Sequence, residues 1–158
     1  MDLPVIVLAP YLSVGGDGSK VTSELGELCR EVSRILREMG ACAACEGSEM
    51  YGGGQRPVVA EMAAIGFGLP KDTFTSIMKQ APHYLAPTGS DLRRYGQEGS
   101  VSAGYHYDLN FLTIHGRSSF PGLNIWLNNG QKVEVEVPSG YLLLQTGKQV
   151  RVMLPTKA

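Results

Sequence analysis

The fold class is predicted mainly from residues 104–149, where apolar runs alternate with turn signals: GYHYDLNFLTIHGRSSFPGLNIWLNNGQKVEVEVPSGYLLLQTGKQ. The turn signals are Phe120-Pro-Gly, Asn128-Asn-Gly and Pro138-Ser-Gly, and they recur at intervals of about ten residues. Within VEVEVP (133–138) the pattern alternates strictly, so the valines are predicted to face the core and the glutamates to face solvent. Such spacing is typical of antiparallel meanders, sandwiches and jelly rolls.

The first 85 residues carry a different, partly helical pattern. The run LPVIVLA (3–9) predicts a short buried strand, and a long amphipathic helix is predicted from Ser19 to Met39. The apolar positions of this helix recur at three- and four-residue intervals and are Leu25, Leu28, Val32, Ile35, Leu36 and Met39. Ser19 or Thr22 is suited to cap its start, and Gly40 is suited to end it in a left-handed conformation.

Three further elements are predicted in the front half of the chain. The segment ACAAC (41–45) indicates a strand of small residues. A second helix is predicted to begin at Pro57, since proline is favoured in the first helical turn. A third helix is predicted from Asp72, with its apolar residues turned inward: Phe74, Ile77 and Met78. The sequence therefore predicts an α/β front half that leads into a β-rich back half.

Composition limits the classes of function that the chain can have. Its 158 residues suit one domain, and a net charge of −1 with no basic block argues against nucleic-acid binding. No segment approaches the ~18 consecutive apolar residues of a membrane span, and the apolar run in MDLPVIVLAP is too short for a signal peptide. Three cysteines are too few for a disulfide scaffold. We therefore expect a cytoplasmic protein without membrane partners.

His106 and Asp108 are the candidate metal ligands. On a strand, residues two apart project from the same face, so the imidazole and the carboxylate are predicted to lie side by side. His-x-Asp supplies half of the two-histidine, one-carboxylate triad of non-haem Fe(II) oxygenases. A solvated or salt-bridged pair is the alternative interpretation of the same residues.

Two other histidines are weaker candidates for a third ligand. His115 lies seven residues after Asp108, an odd offset that predicts the opposite face of a straight strand and a separation above ~20 Å. His115 is therefore interpreted as a strand-end residue that meets solvent or backbone. His83 follows Pro82 and is interpreted as a loop or helix-end residue.

Three other motifs are given structural interpretations. Arg117-Ser118-Ser119 has the chemistry of a carboxylate clamp, but it precedes Phe120-Pro-Gly and is predicted to lie in an exposed turn. Cys42 and Cys45 form one C-x-x-C without a second zinc half-site, which favours packed structural thiols. The run GSEMYGGG (47–54) lacks the G-K-[ST] of a phosphate loop, so nucleotide binding is not predicted.

The order of motifs in residues 104–149 resembles the isopenicillin N synthase-like family of 2-oxoglutarate- and Fe(II)-dependent dioxygenases. The shared order is an H-x-D strand, a leucine-rich strand, P-G-L-x-(I/V)-W, a short N-G turn, V-x-V-x-V-P and P-x-G-x-L-L-L-x-x-G. The front half is similar to the N-terminal region of non-haem dioxygenases. The resemblance thus covers roughly residues 3 to 149.

The resemblance implies an α+β fold, in which a helical N-terminal region (1–85) precedes an incomplete double-stranded β-helix, or jelly roll (86–158). His106 and Asp108 match the first histidine and the carboxylate of the family's iron site. Family members bind 2-oxoglutarate to the iron and couple its oxidative decarboxylation to oxidation of a small-molecule substrate. Structural core positions of the family fall on Leu123, Trp126 and Leu142 to Leu144.

The sequence also departs from the family pattern, most clearly after Gln149. The family's second histidine ligand follows several strands after the acid, but no histidine follows His115 here. The family's R-x-S clamp for 2-oxoglutarate comes later still, whereas Arg117-x-Ser119 precedes those strands. We therefore expect a C-terminally truncated form with weak or absent iron and little or no activity. The alternatives are an interaction module that self-associates through unfinished sheet edges, and an enzyme completed by a ligand from a second chain.

Overall fold

The computed structural model describes residues 3–13, 22–45, 55–82, 84 and 89–153. Helices and strands alternate in the front half, and short strands dominate the back half, so the class is α+β. The elements in chain order are β1 (Val5–Val7), α1 (Ala9–Ser13), α2 (Ser23–Glu38), β2 (Ala41–Cys45), α3 (Gln55–Gly66), α4 (Thr73–Met78), α5 (Leu92–Tyr95), β3 (Leu112–His115), β4 (Asn124–Trp126), β5 (Lys132–Glu134), β6 (Tyr141–Thr146) and α6 (Lys148–Met153).

Four strands form the main sheet, in the order β1-β2-β6-β3. β1 runs parallel to β2, whereas β6 is antiparallel to both β2 and β3. The predicted strands at the N-terminus and at 41–45 are confirmed, although β1 is buried on one face only, with Ile6 inside and Val5 and Val7 exposed. Because β2 and β6 come from opposite sides of residue 85, the sheet joins the two predicted regions. The division into 1–85 and 86–158 stays a prediction.

Helix α2 forms where the apolar stripe predicts it and has the predicted cap. The Thr22 side chain accepts a hydrogen bond from the Leu25 amide, so the helix begins at Ser23, and residues 19–21 lie outside the described part. Gly40 follows the helix with φ of +82°, the left-handed conformation expected after a helix end. The apolar face of α2 is buried and includes Leu25, Val32 and Ile35.

Helix α3 packs against α2 through a close backbone approach at Gly66. A side chain at Gly66 would overlap the Cys29 carbonyl and the Ser33 hydroxyl. Ser33 is buried, and its hydroxyl lies 3.0 Å from the carbonyl oxygens of both Cys29 and Ala63, so it links the two helices. The glycine is required here because the two helices meet without room for a Cβ atom.

The other two predicted helices are present, with one error in orientation. Helix α3 includes Pro57 in its first turn, and α4 begins after Asp72. Phe74 is buried and Met78 packs against the core, as predicted, but Ile77 is 54% exposed. The prediction for Ile77 is wrong because the successive residues Phe74 and Thr75, with Met78, define the inner face of this short helix, and Ile77 lies outside that arc.

Strand β6 divides the core into two apolar clusters. Leu144 lies on the face covered by α2 and α3, where it shares a cluster with residues such as Ile6 and Val32. Leu143 lies on the other face and belongs to a second cluster with Val133. Successive residues of a strand point to opposite faces, so one leucine-rich strand supplies both clusters.

Strands β4 and β5 form a separate antiparallel pair that covers the second cluster. The predicted alternation is confirmed, because Val133, Val135 and Val137 are buried whereas both glutamates between them are exposed. The predicted core position of Trp126 is wrong, since this side chain is 43% exposed. Its neighbours Ile125 and Leu127 are buried, and alternation then turns Trp126 outward.

The predicted fold class is supported only at a coarse level. The α+β class is confirmed, but the described strands form a four-stranded and a two-stranded sheet, which do not by themselves establish a jelly roll. Among the described residues, none of the helices has the length and apolar character needed to cross a membrane. A cytoplasmic location stays a prediction.

Candidate metal site

The segment that carries His106 and Asp108 is not a strand. Residues 101–111 have no regular pairing, and β3 begins only at Leu112. The predicted H-x-D strand is therefore wrong. The backbone of this segment is hydrogen-bonded to the turn that leads into α6. The Lys148 amide donates to the Asp108 carbonyl at 2.7 Å, and the Gly147 amide donates to the Phe111 carbonyl at 3.0 Å.

The imidazole of His106 has one nitrogen engaged by the backbone. Nδ1 lies 2.8 Å from the Gly104 carbonyl oxygen. Because a carbonyl oxygen only accepts hydrogen bonds, Nδ1 carries the proton, and Nε2 of the neutral ring keeps its lone pair. The side chain is 66% exposed, so Nε2 is accessible as a ligand.

The carboxylate of Asp108 is fixed through one oxygen and presents the other to His106. Thr113 donates its hydroxyl hydrogen to Oδ2 of Asp108. Oδ1 lies 3.6 Å from Nε2 of His106, which is longer than a hydrogen bond. Asp108 is 21% exposed, so the carboxylate is largely enclosed while one edge reaches the imidazole.

This arrangement fits two ligands of a divalent metal. Ligand nitrogen and oxygen atoms lie about 2 Å from such ions, so two ligands of one ion are at most about 4 Å apart. The observed 3.6 Å satisfies this limit. In known metal sites, the ligand atom that does not face the metal is usually hydrogen-bonded to a second protein group. The same holds here, because Nδ1 of His106 is bonded to the Gly104 carbonyl and Oδ2 of Asp108 to the Thr113 hydroxyl.

The described residues do not complete the site. No group of three His, Cys, Asp or Glu side chains suited to hold a metal ion occurs within residues 3–13, 22–45, 55–82, 84 and 89–153. His106 and Asp108 are therefore two adjacent donors, and the assignment of metal to them stays a prediction. His83, the other histidine considered, lies outside the described residues.

His115 shares one face of β3 with Thr113, the residue that contacts Asp108. The prediction that His115 points away from the candidate site is therefore wrong. The prediction assumed a straight strand from residue 104, whereas β3 contains only Leu112–His115. Thr113 and His115 are two apart in β3 and so share a face, and Thr113 contacts Asp108. Nε2 of His115 is buried without a hydrogen-bond partner among the described atoms. His115 nevertheless does not join the other two residues in a three-ligand group.

The remaining candidate motifs have structural roles or fall outside the description. Arg117 and Ser119 are exposed in the irregular segment that follows β3. Cys42 is a free buried thiol, and burial raises its pKa to about 12, which keeps it protonated and unreactive. The side chain of Cys45 and the glycine-rich run at 47–54 lie outside the described residues.

Sequence reasoning missed two residues of the site, Thr113 and Asn110. Asn110 donates from Nδ2 to the Thr113 hydroxyl oxygen at 2.8 Å, and Thr113 in turn holds Asp108. Neither residue belongs to a recognisable motif. Their roles depend on the bend between Asp108 and β3, for which Asn110 is the only turn residue in the sequence LNFLTI (109–114).

The fold and the site together define an α+β protein in which one imidazole and one carboxylate lie side by side as candidate metal ligands. No protein-family model matches the chain, and no curated protein matches it. The fold is similar to that of a Neurospora crassa protein whose full-length form has been crystallised in complex with alpha-KG. For that crystal structure the TM-score is 0.68 with 14% sequence identity, covering 94% of this chain and 74% of that chain.

Two further crystal structures of the same Neurospora crassa protein give the same result. The C-terminally truncated apo form has a TM-score of 0.65 and 12% identity, covering 96% of this chain and 84% of that chain. The full-length complex with alpha-KG and 5-formyluracil has a TM-score of 0.64 and 12% identity, covering 94% of this chain and 73% of that chain. At such low identity, the similarity concerns the fold.

Proposed function

We propose that the chain belongs to the isopenicillin N synthase-like 2-oxoglutarate- and Fe(II)-dependent oxygenases and carries a half-retained iron site. The observation that carries this proposal is the 3.6 Å separation of His106 Nε2 and Asp108 Oδ1, with the other polar atom of each group held by a protein partner. Fold similarity to the Neurospora crassa protein, which has been crystallised with alpha-KG, supports 2-oxoglutarate as the co-substrate.

His106 and Asp108 would hold the ion in this protein. Fe(II) with 2-oxoglutarate would supply the oxidising chemistry, in which oxygen and 2-oxoglutarate are consumed, succinate and carbon dioxide are released, and a small-molecule substrate is oxidised. The Gly104 carbonyl keeps the imidazole proton on Nδ1, and Thr113 leaves Oδ1 of Asp108 for the ion. With two protein ligands among the described residues in place of the family's three, we expect weak binding and little or no turnover, because activity requires all reactants to be aligned together.

The metal site is tested by anaerobic titration of Fe(II) into the purified chain, with and without 2-oxoglutarate. We expect weak binding that becomes at least about 10-fold weaker in His106→Ala and in Asp108→Ala, since each change removes one of two donors. Asp72→Ala is the matched control, because Asp72 is an exposed carboxylate that makes no side-chain cap hydrogen bond in α4. Equal Fe(II) affinity in the parent and both site variants would rule out this assignment.

Succinate release in the same samples measures turnover. We expect none above background from the isolated chain. Robust release that disappears in His106→Ala and Asp108→Ala would instead indicate a complete site, with a third ligand from outside the described residues or from a second chain. If His115→Ala also abolished release, the third ligand would instead be His115 of this chain.

A second candidate function, a self-associating interaction module, is favoured by an exposed aromatic patch (Tyr105, Tyr107 and Trp126). These side chains are 59%, 57% and 43% exposed. The Tyr105 ring packs edge-on at 5.5 Å from Tyr107 and 4.8 Å from Trp126. Clustered exposed apolar side chains often mark interaction sites. Among the described strands, β3 also lies at an edge of the main sheet, where pairing with another chain is available.

Sedimentation velocity over a concentration series tests self-association. We expect the parent chain to form dimers or larger species, and Trp126→Ser to weaken association about 10-fold or more, as for an aromatic anchor at an interface. Ile77→Ser serves as the control, since Ile77 is a similarly exposed apolar residue on α4. A parent chain that stays monomeric at every concentration would exclude this function.

A further inference from the structure

We propose that Thr113 and Asn110 are positioning residues that set the orientation of the Asp108 carboxylate for metal binding. This inference rests on the proposed function. It extends that function by naming two residues outside the H-x-D motif, and it concerns how the described chain holds Asp108 before any ion is bound.

The hydrogen bonds between these three side chains have a fixed direction. The Asn110 amide nitrogen can only donate, so the Thr113 hydroxyl oxygen accepts from it at 2.8 Å. The Thr113 hydroxyl has one hydrogen, and the Asp108 carboxylate can only accept, so that hydrogen points to Oδ2. The Asn110 hydrogen bond thereby favours this orientation of the Thr113 hydroxyl, and Thr113 holds the carboxylate plane of Asp108 by engaging one of its oxygens.

Hydrogen bonds already hold the backbone around Asp108. The Thr113 hydroxyl therefore acts on the rotation of the Asp108 side chain. The Asp108 carbonyl accepts from the Lys148 amide at 2.7 Å, and the Asn110 carbonyl accepts from the Gln149 amide at 3.3 Å. Gly147 makes this turn possible, because a side chain there would overlap the Asn110 carbonyl. With the backbone held, the Thr113 hydrogen bond selects the carboxylate rotation that turns Oδ1 toward His106.

Thr113 is well placed for this role because it belongs to a strand and not to the irregular segment. β3 pairs with β6 along its length, with Thr113 opposite Gln145. A ligand supported from a rigid element keeps its geometry better than one supported by a loop. Loss of such an outer-shell partner costs roughly 10- to 100-fold in metal affinity in other sites.

Titration with Co(II) as the probe, followed by its absorption spectrum, tests the inference. Thr113→Val keeps the side-chain shape but removes the hydroxyl, and we expect it to weaken Co(II) binding by about 10-fold or more and to change the spectrum. Thr113→Ser keeps the hydroxyl and is expected to restore both the affinity and the spectrum of the parent. Asn110→Ala, at an exposed position, is expected to cause a smaller loss in the same direction.

The metal-free protein provides a second readout that does not depend on the proposed function. In ¹³C NMR spectra, the Asp108 carboxylate resonance should coincide in the parent and Thr113→Ser, and should move in Thr113→Val and Asn110→Ala. If the parent binds no Co(II) through His106 and Asp108, the proposed function fails, but this resonance still decides whether Thr113 orients Asp108. The inference is overturned if Thr113→Val keeps both the Co(II) affinity and the Asp108 resonance of the parent. If Thr113→Val does not fold, the inference is overturned when Asn110→Ala keeps both.

Discussion

Replacing Leu144 by alanine is expected to lower the free energy of unfolding by about 4 kcal/mol, since large-to-small changes of buried leucine cost about 2 to 5 kcal/mol. Leu144 is 1% exposed and lies in β6, between β2 and β3. Its directly paired neighbours are Cys42 and Ile114, and α2 and α3 cover the same face. The cavity left by the change cannot collapse easily, because strands on both sides fix the backbone of β6.

Urea unfolding followed by circular dichroism measures this effect as a lower midpoint with an unchanged slope. Leu109→Ala is the matched control, since Leu109 is 73% exposed and its truncation should change stability by no more than about 0.5 kcal/mol. A loss below about 1 kcal/mol for Leu144→Ala would mean that β6 does not form the centre of the core.

Gly66→Ala is expected to destabilise the protein by about 3 kcal/mol, which corresponds to a fall in melting temperature of roughly 6 to 12 °C. The new methyl group would overlap the Cys29 carbonyl and the Ser33 hydroxyl, so α3 would have to move away from α2. That movement would stretch the buried hydrogen bond from Ser33 to the Ala63 carbonyl, now 3.0 Å long. Alanine is otherwise the better helix former, so propensity alone predicts the opposite sign.

Thermal unfolding distinguishes the two effects when Gly89→Ala is measured beside Gly66→Ala. Apart from its chain neighbours, no atom of the described residues would lie within 4 Å of a Cβ atom at Gly89, so this control changes the same residue type without such an overlap. We expect Gly89→Ala to melt within about 2 °C of the parent, in line with the small effect of most surface substitutions. A Gly66→Ala variant as stable as its parent would show that the helices separate there at little cost.

Features that are encoded within a few residues could be predicted from the amino-acid sequence. The apolar stripe and the Thr22 cap define α2, and Gly40 ends it, because a helix period and its end signals are local. Strict alternation likewise assigned the valines of VEVEVP to the core, since a strand has no other way to bury them together. The sequence also predicted that His106 and Asp108 lie side by side, and they do, but on an irregular backbone and not on the strand from which their proximity was inferred.

Contacts between distant segments could not be predicted in this way and become visible only in the folded chain. Nothing local indicates that Gly66 lies against Cys29, or that Thr113 reaches back to Asp108, because both contacts depend on how separate elements are placed. Trp126 is a further case: its aromatic ring and its place in the motif suggest burial, yet Ile125 and Leu127 pack into the second core cluster and leave Trp126 facing solvent. Periodicity specifies which faces of an element are apolar, whereas long-range packing and backbone clamps determine what each face and each polar group contacts.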